Sequence, residues 1–591
     1  MTEPTLSGRA VAVGLVLVAT ASLGFASRFA HDPLMGDEIY FVIAADHISH
    51  GRRPITRARA DIARFASADL ASGSPADERD IDYALWHPPL YLHLMALVFD
   101  LAGTGPAQAR LIGLGCLLAT VFAIYGLSQE VFRDRADRRA IGLLAAFLFA
   151  VNPLAIQGAL VVDIDNTLLT PALLLTLLAI VRSLDGSRAS RDLALGGLFA
   201  GLLWVKLTTP PVLVLALAIF LAAREGAGVA LRRAGVIAAV GGAGFLGTWS
   251  AYARAQGVPA AAPFGHLVGS VVGLGPHGSF PTVALEAALA LARLALWASP
   301  FLVLLWGMSL ARRASEFASA RAVRSEDLLH LTAALVLVTY LIVGKTTFSF
   351  PRYDYPVLPL LAILGAASAL TAWETAASRS GRWLLATLVG AALIWLGGDP
   401  LLSTYAAVKE RLVAGEGLGD MVPRVALQAA ILLVTPLAIA SLVGVPRRFG
   451  LARAAVVPIA VATVSYSLAL DAIQARAEYL VRYGYGGVGT REVLAFLGRE
   501  IAQESLVLAP AELTYGVGNR ASPFPANGVW TSRPALVGAL SATPLRAFVY
   551  GLPTNTIEQL RFIESDPRVL ALLQHFRRWT IGSYTVWVRR P

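Results

Sequence analysis

Thirteen long apolar runs predict a polytopic α-helical membrane protein, followed by a small C-terminal α/β domain on the extracytoplasmic side. Composition supports the first part. Hydrophobic residues make up 56% of the 591 and charged residues only 15%, against roughly 25% charged in a soluble protein. Mean hydropathy is +0.63. The net charge of +10 is almost entirely arginine, since lysine occurs only at positions 206, 345 and 409. Basic excess of this kind marks cytoplasmic loops near anionic lipid, and no basic–aromatic interleaving points to nucleic acid. Cys116, the only cysteine, lies inside an apolar run, which excludes disulfides and thiolate metal sites.

The first run, 10–27, is uncharged, has small residues throughout and is followed by further spans, so it reads as a membrane helix and not a cleaved signal. Further runs lie at 111–129, 140–162, 166–181, 193–205, 207–223 and 234–252, then at 294–310, 328–344, 355–373, 383–398, 425–445 and 454–470. Each approaches the roughly 20 residues a crossing helix needs once its polar ends are included. Only Lys206 separates the fifth run from the sixth, and Thr208-Thr209-Pro210-Pro211 suits a tight reversal there.

The stretch 88–99 is apolar but too short to span, and reads as a re-entrant or interfacial helix. With 88–99 not crossing, six short arginine-rich loops, beginning with Arg133, Arg135, Arg138 and Arg139, all fall on one side. The positive-inside rule makes that side cytoplasmic. The N-terminus is then inside, and the loops at 31–106, 163–166, 253–283, 345–355 and 399–424 are outside. This orientation fits a multi-pass protein of the cell (inner or plasma) membrane.

The character changes after Leu470, which divides a membrane domain, 1–470, from a soluble domain, 471–591. Beyond the glycine cluster 484–489, residues 491–503 read as an amphipathic helix and 505–509 and 547–550 as strands. Residues 556–575 read as helical and 579–589 as a strand or hairpin. The glycine cluster precedes a helix but follows no strand, so a nucleotide site is disfavoured.

Chemistry concentrates in the outer loops. Asp37-Glu38 would cost several kcal/mol per charge inside hydrocarbon and so belongs at the membrane edge. His87 precedes Pro88-Pro89; Asp163 and Asp165 share a very short loop; Lys345, Arg352 and Tyr353 share another. Each has a bland alternative: solvated loop acids, a histidine closing a helix end, or Lys206 snorkelling from its helix. Tyr40, Trp86 and Tyr91 suit an interfacial aromatic belt, with Tyr40 also a candidate substrate contact.

Four features together, Asp37-Glu38, His87-Pro88-Pro89-Leu90, Asp165-Asn166-Thr167-Leu168-Leu169 and the run 351–359 (PRYDYPVLP), resemble the GT-C glycosyltransferases of the protein O-mannosyltransferase and lipid A aminoarabinose transferase type. The resemblance implies transfer of a sugar from a polyprenyl-phosphate donor to a lipid, glycan or protein acceptor at the extracytoplasmic face. It implies that Asp37 is the general base, that Glu38 shapes its field or contacts substrate, and that Asp165 is the second acidic position, with Asp163 competing for that role. His87 departs from the aminoarabinose transferases, which carry lysine there, and this bears on which sugar is used. Some enzymes of this type use a divalent cation; the outer-loop histidines show no spacing that marks one. Independently of the resemblance, attack by an acceptor hydroxyl requires a carboxylate base. A departing phosphate requires cations, a role suited to Arg352, with Lys345 or Lys206 as point charges. Two rivals are a transporter or flippase of a lipid-linked substrate and a catalytically silent binding protein. Transporters typically place charges at mid-membrane within repeats, whereas these acids lie at one edge and no repeat is evident.

Overall fold

The computed structural model describes residues 7–32, 34, 38–51, 85, 87–184, 189–273, 280–320, 322–343, 351–373, 380–414, 416–443, 451–476, 489–502, 505–509, 513, 521–523, 537, 540–541, 545–551 and 563–590. Asp37, Trp86 and Lys345 therefore lie outside the described residues, as do most of the glycine cluster and 556–562 of the predicted helix 556–575.

The chain forms two compact units. One comprises Met1–Arg28 and Ile112–Arg476; the other comprises Phe29–Leu111 and Ala477–Pro591. The first outer loop thus groups with the C-terminal region, an association between segments far apart in sequence.

The helices in chain order begin with α1 (Gly8–Ser27), α2 (Glu38–Ser49), α3 (Leu90–Ala102), α4 (Pro106–Val131), α5 (Arg138–Ala150) and α6 (Pro153–Leu160). A π-helical turn, Asp165–Leu169, leads into α7 (Thr170–Ser183), α8 (Ala189–Val205), α9 (Thr209–Glu225), α10 (Ala227–Gln256) and α11 (Ala262–Gly273). Next come α12 (Phe280–Ala298), α13 (Pro300–Ala320) and α14 (Ser325–Val343), then a 3-10 turn, Arg352–Val357. The membrane part closes with α15 (Leu358–Trp373), α16 (Ser380–Ala414), α17 (Val422–Val443) and α18 (Leu451–Ala475).

Among the described residues, seven helical segments are long and apolar enough to cross a membrane, and nine if two bent pairs each count once. The four other predicted runs lie on α8, α9, α14 and α16. The helix α3 has 13 residues, about 20 Å at 1.5 Å per residue, short of the roughly 30 Å hydrocarbon core.

Two predicted straight spans are broken. The run 140–162 bends by 61° between α5 and α6, and the run 294–310 by 109° between α12 and α13. In each case a proline opens the second helix, Pro153 or Pro300, and proline drives its predecessor out of helical geometry. Ser299 sits fully buried at φ 79°, the only non-glycine residue with positive φ among those described. Asn152 serves both breaks. Its Oδ1 accepts from the Leu154 amide at 3.0 Å, capping α6, and its Nδ2 donates to the Ala298 carbonyl at 2.9 Å, closing the end of α12. Around these joints the packing is tight: a Cβ on Gly158 would clash with the ring of the buried Tyr355.

The second unit carries α19 (Thr490–Glu500), β1 (Leu506–Ala509), β2 (Ala521–Pro523), β3 (Leu545–Gly551), α20 (Pro567–Leu573), β4 (Phe576–Ile581) and β5 (Tyr584–Arg589). Its sheet runs β2-β1-β3-β5-β4. The β1 strand pairs in parallel with β2 and β3, while β5 pairs antiparallel with β3 and β4. Both faces are buried, which is why β1 and β3 read as near-continuous apolar runs. Leu508, Phe548 and Tyr550 pack with Val569 and Leu573 of α20; Val507, Val549 and Val586 pack with Val493, Phe496 and Leu497 of α19. Gly489, the last of the glycine cluster, has φ 97°, and a Cβ there would lie 2.9 Å from the Gly582 backbone. Its glycine serves a turn pressed against the β4–β5 hairpin.

Candidate functional site

In the first unit the acidic loop is built by its own side chains. After α6 ends, the Asp165 amide donates to Oδ1 of Asp163 at 3.1 Å, and the Thr167 hydroxyl donates to the Asp163 carbonyl. Asn166 donates to the Val161 carbonyl at 2.8 Å, and Thr170 to the Asp165 carbonyl at 2.8 Å. Asp, Asn and Thr side chains readily satisfy nearby backbone groups in this way, offering the chain an alternative to a regular helix. The result is the π-helical turn, which keeps both acids at the head of α7. Asp163 and Asp165 are only 5% and 2% exposed.

Two cations from distant parts of the chain meet them. Lys206, at the reversal between α8 and α9, pairs with Oδ1 of Asp165. It does not snorkel, because its side chain is 1% exposed. Arg352, opening the 3-10 turn, donates through Nη1 to Oδ2 of Asp163 at 2.8 Å. Tyr353 joins the pairs: its ring lies 4.6 Å from the Lys206 ammonium and 5.0 Å from the Arg352 guanidinium. Tyr340 stacks on it with centroids 5.3 Å apart, and the Tyr340 hydroxyl shares hydrogen bonds of 2.8 Å with Thr208 and Thr209. Burial disfavours the Lys206 charge, but the Asp165 carboxylate more than offsets this and holds the ammonium above the ordinary lysine range. Behind them Asp354 and Arg293 form a further buried pair at 3.5 Å.

The arrangement is two adjoining carboxylates, each paired with one cation, with the Tyr353 ring beside both cations. A guanidinium carries five donors in a planar fork, so it can keep a carboxylate and accept a phosphate oxygen.

The second unit holds another part of the predicted site. Glu38 opens α2 with its side chain 1% exposed, facing the Arg110 guanidinium at 3.6 Å. Arg110 also donates to the Ala30 carbonyl at 3.0 Å and to the Asp32 carbonyl. Tyr40 is half-buried on α2, and α2 packs on α3 through Phe41 and Tyr91, edge to face at 5.7 Å. His87 is half-buried just before Pro88-Pro89, which leads into α3.

The structure thus gathers Asp163, Asp165, Lys206, Arg352 and Tyr353 in one cluster, with Glu38, Tyr40 and His87 in the other unit. Sequence reasoning missed Tyr340, Thr208 and Thr209 as site supports, and missed Arg110. A charge at the head of the apolar run 111–129 was the available signal for Arg110, since buried charges beside spans require partners. Among the described residues no three His, Cys, Asp or Glu side chains form a group that could hold a metal ion.

Fold and composition together define a multi-pass membrane protein of the GT-C fold, with a small sheet domain at its C-terminal end. Residues 86–248 match the family described as dolichyl-phosphate-mannose-protein mannosyltransferase, a region that includes His87, Asp163, Asp165 and Lys206. Among solved structures, ArnT from Cupriavidus metallidurans bound to undecaprenyl phosphate aligns with TM-score 0.58 at 16% identity, over 98% of both chains. The apo form of the same protein aligns with TM-score 0.49 at 16% identity, again over 98% of both chains. The apo oligosaccharyltransferase of Archaeoglobus fulgidus aligns with TM-score 0.47 at 11% identity, over 98% of this chain and 74% of that one. The likeness to the lipid-bound ArnT carries the fold. No curated protein matches the chain by sequence.

Proposed function

We propose that this chain is a glycosyltransferase that moves a sugar from a polyprenyl-phosphate donor to an acceptor at the extracytoplasmic membrane face. The observation that carries the reading is the buried cluster of Asp163, Asp165, Lys206 and Arg352, set within a GT-C fold. The similar ArnT structure is bound to undecaprenyl phosphate, and the family matched by residues 86–248 is named for dolichyl-phosphate-mannose.

In this reading the acceptor hydroxyl attacks the anomeric carbon and Asp37 takes its proton as the new C–O bond forms. The bond to the phosphate oxygen breaks, and the polyprenyl phosphate leaves as an anion. Arg352 holds that phosphate with two charge-assisted bonds, and Lys206 supplies the second positive charge, with Lys345 a further point charge. Asp163 and Asp165 orient the cations until the donor arrives; Asp165 also stands as the second acidic residue. Glu38, anchored on Arg110, shapes the field at Asp37, and Tyr40, His87 and Tyr353 contact the substrate. A single displacement of this kind inverts the anomeric centre. The N-terminus is cytoplasmic and the sheet domain extracytoplasmic.

The test is donor binding and turnover in nanodiscs with undecaprenyl-phosphate-linked hexoses and pentoses. Wild-type protein should release undecaprenyl phosphate when an acceptor is supplied. Arg352→Lys should weaken donor binding and Arg352→Ala should nearly abolish it. Unchanged donor affinity in Arg352→Ala would move the phosphate role to Lys206 or Lys345. Absence of sugar release from every polyprenyl donor would overturn the proposal.

A further inference from the structure

One ion pair in the second unit links segments 459 positions apart: Arg491 of α19 donates through Nη2 to Oδ1 of Asp32. The Asp32 side chain is 4% exposed, and its Oδ2 has no hydrogen-bond partner among the described residues. A carboxylate buried in that way requires a counter-charge, and Arg491 provides it. The backbone carbonyl of Asp32 accepts from Nη1 of Arg110, whose Nη2 faces Glu38. The contacts therefore run Arg491, Asp32, Arg110, Glu38, and end one residue from Asp37.

The far end of this line rests on a fixed platform. Gly489 presses against the Gly582 turn, the Thr490 and Tyr584 hydroxyls bond at 3.1 Å, and Val493 and Leu497 are fully buried against the sheet. That packing fixes the backbone around Arg491, one residue beyond Thr490, while the Arg491 side chain, 51% exposed, reaches Asp32 from the open face of the helix. At the near end, Asp32 directly follows the turn 28–31 in the connection between α1 and α2.

We propose that Arg491 is a positioning residue for the transfer reaction: the C-terminal domain sets the place of Glu38 through Asp32 and Arg110. This rests on the sugar-transfer reading above and gives the sheet domain a part in catalysis that does not require it to touch substrate. The step it serves is the proton transfer, because a Glu38 carboxylate displaced from Arg110 no longer shapes the field at the base, and rate is lost while the donor still binds.

The experiment uses the full-length protein in nanodiscs with four single variants: Arg491→Ala, Arg491→Lys, Asp32→Asn and, as a control on the exposed face of the same helix, Arg499→Ala. Turnover in Arg491→Ala should fall roughly 10- to 100-fold, the scale at which a misplaced reacting group costs rate. Donor KM should stay within about twofold of wild type, since the phosphate cations lie elsewhere. Arg491→Lys should restore most of the loss. The double variant Arg491→Ala/Asp32→Asn should lose no more than the worse single, as expected of partners in one pair. Hydrogen exchange across α2 should speed up in Arg491→Ala and stay as in wild type in Arg499→Ala.

Unchanged exchange in α2, unchanged turnover, or additive losses in the double variant would each overturn the proposal. If Arg491→Ala proves unstable, Arg491→Lys and Asp32→Asn still decide it through the KM-against-kcat split and the exchange of α2. A wild type that transfers no sugar, yet shows the α2 exchange response, upholds the link from Arg491 to α2 and removes the sugar-transfer reading instead.

Discussion

Asp37 and Glu38 are neighbours with different expected duties, and single-atom substitutions separate them. Asp37→Asn keeps the side-chain shape and removes the base. General-base catalysis is typically worth about 10²–10⁴-fold, so turnover should fall by that order with the protein still folded and the donor still bound. Glu38→Gln should cost less, because in the proposed reading Glu38, paired with Arg110, only supports the base. A steady-state assay on both variants decides it; a larger loss at Glu38 than at Asp37 would exchange their roles. The same scale explains Lys206. Its position between two apolar runs reads equally well as snorkelling, and only the partner Asp165, 41 residues away, distinguishes a buried site charge from a helix-end one.

At the scale of elements, the breaks matter more than the spans. The acidic turn is possible because α6 is only 8 residues long, and α6 is short because Asn152 and Pro153 restart the helix after a 61° bend. Asn152→Ala should remove the cap, about 1 kcal/mol, and leave the buried Ala298 carbonyl without its donor, about 1–3 kcal/mol more. Asn152→Ser keeps an N-cap acceptor but offers a shorter side chain towards Ala298, so it should lose less. Thermal unfolding in detergent should rank them wild type, Ser, Ala; equal melting of all three would deny Asn152 its joining role. Asn152 and Pro153 were present as punctuation in the run 140–162, and Pro300 in the run 294–310. Hydropathy averages over such residues and so reports a continuous span where the chain turns.

For the whole molecule, orientation follows from arginine. All six short basic loops agree, so the positive-inside rule predicts an N-terminus inside and a C-terminal domain outside. In a background with Cys116 replaced, single cysteines at Ser74 and Ser522 should react with an impermeant thiol reagent in intact cells, and one at Ser187 should not. Labelling at Ser187 but not at Ser522 would reverse the topology. The grouping of Phe29–Leu111 with Ala477–Pro591 belongs to this scale too. A division at residue 470 by hydropathy separates apolar from polar chain, and cannot tell which polar segments associate.

What the sequence determined alone is whatever depends on contiguous residues. Membrane class, helix positions, the short helix after His87 and most of the C-terminal strands follow from hydropathy and period, because burial in lipid or in a sheet acts on each local stretch by itself. The acids Asp163 and Asp165 and the cations Lys206 and Arg352 were visible as candidates for the same reason: charge beside apolar chain is costly wherever it falls. Tertiary structure decided their pairing. Which carboxylate meets which cation, the stacking of Tyr340 on Tyr353, and the tie from Arg491 to Asp32 depend on chain segments tens to hundreds of residues apart. Long-range pairing of that kind leaves no periodic trace, since its energy arises only once the fold has brought the partners out of water together.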